Sequence, residues 1–417
     1  MAQLSEDAFA FGGPMMSVDE AVAVITARVA AVQDTETVLL TEADGRVLAE
    51  SITAPMPLPP FTNSAVDGYA VRSSDLALVS RQAFPIKGRI AAGESPTSPV
   101  EAGQAMRIFT GAPMPEGADT VFMQEDVRVE AEEVRLPVGL RAGANVRPAG
   151  EDVRQGSEAL PAGRRLRPQD VALIAALGLT RVTVRRPIRV AVFSTGDELI
   201  APGEVRLTPQ LYDSNRFMLM AMLRRLGCAV GDLGILRDDP AALAQALKAA
   251  AHDHDLLVTS GGVSTGEEDH VKAAVERAGS LVLWRMAIKP GRPVAMGVID
   301  GTPFIGLPGN PVASFVTFTY VVRPAVLALA GASAERPLPV SVRAAFAYRK
   351  KMSRREYVRA NIRRAEDGAL EAVKFPREGA GLLSSLVETD GLVELGEDIT
   401  AVKPGDSVRF LSYASLT

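Results

Sequence analysis

The chain has 417 residues, with 45 Lys and Arg against 50 Asp and Glu for a formal net charge of −5, and it is 47% hydrophobic and 23% charged. That composition excludes a disordered chain and a collagen-like fibre, and at roughly 150 residues per domain the length suggests about three domains. The mild acidic excess gives no long-range attraction to nucleic acid or an anionic membrane surface, so an anionic ligand must be held by local clusters of donors.

Aromatic residues are only 5% of the chain, too few for a surface built on base stacking. The single cysteine, Cys228, allows neither an internal disulfide nor a thiolate zinc site. The opening MAQLSEDAFAFGG lacks the basic and apolar regions of a secretion signal. The most apolar runs, such as 171–179, are about half a bilayer span. A cytoplasmic protein without nucleic-acid or membrane partners is expected.

In chain order, Ser17-Val-Asp-Glu20 has the form of a capping box, and Val18, Val22, Ile25, Val29 and Val32 follow at helical spacing, predicting one amphipathic helix. From about Val38 to Arg154, short β-branched runs alternate with Pro/Gly punctuation, the pattern of a compact β-rich module. A helix is predicted over Pro168 to Leu177, with Pro in its first turn and Gly178 after it. The β module is thus inserted between two helical pieces.

Between about Pro187 and Gly331 the order strand, Gly-containing turn, helix repeats. Ile188 to Phe193 ends in STGDE, Leu256 to Thr259 in SGG, and Pro303 to Leu307 in PGNP. Helices are predicted over Arg216 to Leu226 and Ala241 to Ala251. This alternation predicts a parallel sheet covered on both faces, with ligands beyond the carboxyl ends of the strands. After Gly331, short strand-like runs, Leu392 to Leu395 and Val402 among them, are enough for a small β-barrel or sandwich.

The strongest chemical signal is Thr259-Ser-Gly-Gly-Val-Ser-Thr-Gly266, followed by Glu267-Glu268-Asp269. Glycines after a strand let backbone N–H groups close on a phosphate. Carboxylates beside that phosphate call for a divalent cation, with Asp269 the first magnesium candidate. Glu198 and Asp238 reach the same edge with no evident structural duty, whereas Asp239 reads as a helix N-cap.

Tyr212-Asp-Ser-Asn215 opens a helix, with capping side chains that are also candidates for a ribose hydroxyl. Lys289-Pro-Gly-Arg-Pro293 sets two cations in a turn stiffened by two prolines, a candidate oxyanion site to which Ser314 is a candidate donor. Asn310-Pro311 reads as N-cap plus first helical position. Turn chemistry alone explains Asp67-Gly68 and accounts equally for Thr110-Gly111 and Glu151-Asp152. His252 and His254 have metal-compatible spacing at a helix end, where a solvated helix terminus explains them as well.

These segments, in order FTNSAVDGYAVRSSD, RIFTGAPMPEGADTVFMQED, RPAGEDVRQG, FSTGDEL, YDSN, LLVTSGGVSTGEED, IKPGRP and LPGNPVAS, resemble the molybdopterin molybdenumtransferase family, the bacterial MoeA proteins and the gephyrin E domain, over nearly the whole chain. The resemblance implies a multidomain α/β and β fold. Its parts are an elongated, discontinuous helical/mixed linker domain for dimerisation (16–54 and 155–186), an inserted β-rich domain (55–154), a central doubly wound parallel α/β domain like that of MogA (187–332, with 1–15 as a candidate addition) and a C-terminal β-barrel (333–417).

The resemblance implies molybdate insertion into adenylylated molybdopterin with release of AMP, supported by Mg²⁺. It implies a homodimer with each site between subunits, and contact with the pterin adenylyltransferase and with molybdoenzyme-maturation proteins. By the same route Asp67, Thr110, Asp152, Glu198, Asp238 and Asp269 are catalytic, with Asp269, Glu198 and Asp238 at the metal. Thr195, Gly196, Asp213, Ser214, Asn215, Ser260, Gly261, Gly262, Ser264, Gly266, Pro308 and Pro311 bind the pterin nucleotide, and Lys289, Arg292, Ser314 and Arg359 bind molybdate. The first three catalytic residues border the cleft from the β module of the partner subunit.

The pattern departs from the family at Arg292, which stands for a lysine and changes the donor geometry, and at Thr62 and Val66, which stand for Asp and Met. In the late loop Gly379-Ala380-Gly381, Ala380 removes a serine hydroxyl, while Ser384 and Ser385 are intact. The 187–331 region alone also resembles the pterin adenylyltransferase. The eukaryotic relative adds a receptor-clustering scaffold as a non-enzymatic reading.

Overall fold

The computed structural model describes residues 15–76, 83–262 and 270–416. Ser17 caps the helix Val18–Arg28: the Glu20 N–H donates to Ser17 Oγ (3.2 Å) and the Ser17 N–H to Glu20 Oε2 (2.8 Å). The helix stops at Arg28, short of the expected Val32. Val29 is already extended, and the Val32 N–H donates to Leu329 O (2.8 Å) instead of continuing the spiral.

Val18, Ala21 and Ile25 join the core of the α/β domain, and Met16 bridges Met286. The apolar face of the helix is buried on the α/β domain.

The linker domain is built by two distant segments. Thr35–Leu39 pairs antiparallel with Arg181–Arg185, Ile52–Thr53 with Glu158–Leu160, and Leu58 bridges Val153. Around the helix Pro168–Ala176, the side chains of Val38, Leu48, Leu166, Ile174 and Val184 close one core.

Between the two segments lies the inserted module. Its six-stranded sheet has the order Thr120–Met123, Gly68–Val71, Ala105–Ile108, Ala83–Ile90, Glu133–Arg135, Arg128–Glu130. A Cβ at Gly68 would stand 1.8 Å from Phe122 O, so that strand pair requires glycine there.

The α/β sheet has the order Ala229–Leu236, Arg189–Thr195, Leu256–Ser260, Thr302–Leu307, Pro293–Ile299, Gly279–Arg285. It is mixed rather than wholly parallel, because Pro293–Ile299 pairs antiparallel with both of its neighbours. The cause is the turn Asp300-Gly301, with φ of 47° and 89°, which makes a two-residue hairpin.

Alternate strand residues feed two cores. Val190, Val192, Val258 and Ile305 pack under the helices Asn215–Arg225 and Val18–Arg28 and the stretch 311–329. Ala191, Phe193, Leu257 and Phe304 pack under Pro240–Asp253 and His270–Ala278. The sheet is therefore covered on both faces, as expected.

Pro311–Leu329, with mean hydropathy 1.7, is the one segment among the described residues long and apolar enough to cross a membrane, and 89% of it is buried. A helix apolar all round is what a domain interior requires.

The C-terminal strands Val340–Ala344, Leu370–Lys374, Arg355–Arg364, Gly391–Leu395 and Ser407–Ser412 pair in a closed ring. This is a five-stranded barrel, which settles the choice between barrel and sandwich. A sixth short strand, Ile288–Lys289, pairs in parallel with Arg355 and Glu356. It belongs to the α/β domain and fastens that domain's cationic turn to the barrel rim.

Candidate active site between the sheet edge and the barrel

The strands Arg189–Thr195, Ala229–Leu236, Leu256–Ser260 and Thr302–Leu307 run parallel, so the loops after Thr195, Leu236, Ser260 and Leu307 meet at one edge. Asn215 ties three of the segments together: its Nδ2 donates to Ser260 Oγ (2.8 Å) and Gly309 O (2.6 Å), and Ser260 Oγ donates to Pro308 O (3.3 Å). Gly261 and Gly262 have φ of 99° and 64°. A Cβ on Gly262 would meet Val271 Cγ2 at 2.3 Å and Thr195 Oγ1 at 2.7 Å.

Ser194 Oγ, Thr195 Oγ1, Thr259 Oγ1 and Asn215 Oδ1 are buried and make no hydrogen bond among the described residues. Buried polar atoms are normally satisfied, so this concentration marks a surface made for a polar ligand. Ser264, Gly266 and Asp269 lie outside the described residues.

One expected ligand contact in the Tyr212–Asn215 segment has another duty. Asp213 is 2% exposed and is engaged by Arg216, whose Nε donates to Asp213 Oδ2 (2.8 Å) and whose N–H donates to Oδ1 (3.3 Å). Arg216 also pairs with Asp232. Asp213 therefore sets the position of Asn215 and presents no carboxylate to a ligand. Ser214 is exposed and makes no capping hydrogen bond.

Glu198 is exposed, and its carboxylate stands where a Cβ on Gly196 would be (2.5 Å to Oε2). Burial first, then the charge of Asp197 and further that of Glu198, raise the Asp238 carboxyl above its ordinary value, against the charge of His270 and an Asp197 hydrogen bond. Asp197 was not singled out in the sequence. Crowding of like charge is what a divalent cation relieves, which keeps Asp238 and Glu198, with Asp197, as candidates to hold one. Among the described residues no three carboxylate, His or Cys groups are gathered closely enough to hold it by themselves.

Asp239 caps the next helix through the Ala241 and Ala242 N–H groups (2.8 and 3.0 Å). His254 Nδ1 meets Ala250 O at 2.9 Å, and among the described residues neither His254 nor His252 belongs to a metal cluster.

On the other side of the Pro308–Asn310 loop, a cavity of about 380 Å³ opens between the α/β domain and the barrel. Lys289, Arg359, Lys374 and Arg377 line it, with Glu356, Glu378, Tyr348, Pro308, Asn310 and Ala380. Lys289 Nζ donates to Glu356 Oε2 and Tyr348 OH (3.1 Å each). Tyr348 OH donates to the same carboxylate (2.8 Å), and Arg354 pairs with it as well. Burial opposes ionisation of Glu356, but the hydrogen bonds from Arg354, Tyr348 and Lys289 outweigh it and hold the carboxyl below its usual value.

Arg359 is 8% exposed. It donates only to the Arg377 and Gly379 carbonyls (3.3 and 3.2 Å), and its Nε is buried without a partner among the described residues. Burial lowers its pKa, yet a guanidinium remains charged. The charge of Glu378 reaches Arg359, but among the described residues no carboxylate is hydrogen-bonded to it, which makes this buried cation a candidate partner for an anion.

Arg292 and Ser314 do not line the cavity. Arg292 is exposed, and Ser314 Oγ is enclosed with no hydrogen-bond partner among the described residues. Pro311 opens its helix as expected. The Val312 N–H donates to Ala380 O (3.0 Å), fastening the late loop onto that helix. Glu356 and Lys374, which lie on barrel strands, and Tyr348 and Arg377, which do not lie on the ring strands, were missed in the sequence because such residues look like ordinary surface.

In the inserted module, Asp67 Oδ1 accepts from the Thr110 N–H (2.8 Å) and Oγ1 (2.7 Å), which lower its carboxyl pKa. The register Gly68↔Ile108 brings the two residues together. Asp152 is exposed near the base of the module.

A discontinuous linker, an inserted β sheet, an α/β domain with a polar strand-end edge and a barrel that completes a cationic cavity define a multidomain enzyme-like scaffold. Sequence comparison is specific about which one. The model of the MoeA N-terminal region (domain I and II) matches residues 16–178, that of a probable molybdopterin binding domain residues 191–328, and that of the MoeA C-terminal region (domain IV) residues 341–413.

The molybdopterin molybdenumtransferase of Haemophilus influenzae is 37% identical over 96% of this chain and 100% of its own length. That of a Nostoc species is 35% identical over 91% and 89%. A solved molybdopterin biosynthesis MoeA protein from Pyrococcus horikoshii superposes with a TM-score of 0.80 at 29% identity, covering 96% of this chain and 100% of that one. The chain belongs to the molybdopterin molybdenumtransferase (MoeA) family.

Proposed function

We infer that this protein transfers molybdenum from molybdate to adenylylated molybdopterin with release of AMP, the last step of molybdenum cofactor assembly. One observation carries the reading: the nucleotide-type edge and the cationic cavity share the wall Pro308–Asn310, the first through Asn215 and Ser260 and the second through its lining. A pterin phosphate at the edge and a tetrahedral oxyanion in the cavity then lie side by side, and holding both reactants in place is a large part of the catalysis.

The polar atoms of Thr195, Thr259 and Asn215 that have no partner among the described residues, together with the Gly262 N–H, bind and orient the pterin nucleotide, while the Gly261 N–H is held by Leu307 O (3.0 Å). Lys289 and Arg359 hold the molybdate, with Glu356 fixing the Lys289 ammonium. Fixed donors of this kind favour charge that develops on the oxyanion and on the departing AMP. Asp269, Asp238 and Glu198 would hold Mg²⁺, which when bound would supply charge neutralisation for the phosphoanhydride. The protein acts as a homodimer, and Asp67, Thr110 and Asp152 approach the cleft from the partner subunit.

The test is to incubate purified protein with adenylylated molybdopterin, Mg²⁺ and molybdate. AMP release and pterin-bound molybdenum that both depend on molybdate are expected. ATP consumption with free molybdopterin would instead assign pterin adenylylation. Absence of both nucleotide and molybdate binding would assign a scaffold.

A further inference from the structure

We propose that Lys374 is a third cation of the oxyanion site, acting with Lys289 and Arg359; this rests on the reading of the interdomain cavity as that site. Lys374 ends the strand Leu370–Lys374, in register with Ala360, and lines the same cavity as Lys289 and Arg359. Its side chain is only 19% exposed. It lies over the ring of Tyr348 with Nζ 5.8 Å from the centroid, and Lys289 Nζ lies 5.7 Å from the centroid of the same ring. One aromatic ring therefore gathers two ammonium groups at the wall of one cavity, and ring faces attract cations.

The two lysines differ in how firmly they are held. Lys289 is fixed by the buried carboxylate of Glu356, 1% exposed, which also serves Arg354 and Tyr348. The partner of Lys374 is Glu378 (3.1 Å), which is 64% exposed. A pair whose carboxylate lies in solvent is weakened by screening, so an anion entering the cavity competes with Glu378 for the ammonium. Since Glu356 is occupied by its three donors, Lys374 supplies the additional positive charge that a dianion needs next to Arg359. The ammonium is a compact charge without fork geometry, which suits a tetrahedral ion of any orientation.

The experiment is equilibrium dialysis of molybdate against the full-length protein at low ionic strength. Lys374→Met is expected to weaken binding about tenfold, as for loss of one charge-assisted hydrogen bond. Lys374→Arg is expected to restore most of the loss, and Glu378→Gln, which frees the ammonium, to tighten binding. Arg359→Met serves as the reference for the cavity itself. If Arg359→Met loses molybdate while Lys374→Met binds as the wild type does, the role of Lys374 is wrong and the cavity stands. If neither change alters binding, the cavity is not the oxyanion site and both are wrong.

Discussion

At the scale of single residues, the site depends on buried charges with assigned partners. Arg216 and Asp213, 5% and 2% exposed, hold the segment that presents Asn215. Removing one member of a buried pair leaves the other uncompensated, at a cost of about 3–5 kcal/mol. Arg216→Met is therefore expected to lower the urea unfolding midpoint sharply, and the double change Arg216→Met/Asp213→Asn to recover part of the loss. An unchanged midpoint for Arg216→Met would contradict the role assigned to this pair. Asn215, Ser260 and the Gly261-Gly262 turn were legible in the sequence because polar residues and glycines follow directly on apolar strands. Glu356 and Lys374 were not, because their meaning comes from the pairing of Lys289 with Glu356 across 67 positions. Spacing along the chain carries no trace of such a contact.

At the scale of elements, the capping box of Val18–Arg28 was readable and its destination was not. The same apolar stripe serves whichever surface it meets, and only the fold shows Ile25 buried among α/β residues. Ser17→Ala is expected to cost about 1 kcal/mol, read as a lower melting temperature of the α/β domain. A loss confined to the linker domain would contradict the packing. The antiparallel strand Pro293–Ile299 was missed for a related reason. Strand–turn–helix alternation dominates the reading of this region, and Asp300-Gly301 was overlooked as a hairpin turn although that dipeptide is a strong hairpin signal.

At the scale of the whole molecule, the junction between linker and α/β domain is electrostatic. Arg186 donates to both oxygens of Asp255 (2.7 and 2.9 Å) and to Asp34 (2.8 Å), and the Arg189 N–H donates to Asp255 as well (2.8 Å). Burial opposes ionisation of Asp255, but these donors prevail and its carboxyl pKa is lowered. The linkage follows: the stabilisation is complete above the unfolded carboxyl value of about 3.9 and is lost as pH falls through the lower folded value. As pH falls below about 4, the wild type is expected to lose more unfolding free energy than Asp255→Asn. Equal losses would assign the acid sensitivity elsewhere.

The same scale holds the central claim, that the cationic cavity joined to the sheet edge is where the metal oxyanion waits for the pterin. Crystals of the protein soaked in tungstate, a heavy tetrahedral dianion of the same shape as molybdate, would locate it by anomalous scattering. The expected result is a peak in the cavity within hydrogen-bonding distance of Arg359 Nε and beside Lys289. A peak at the exposed Arg292 with the cavity empty would contradict the account.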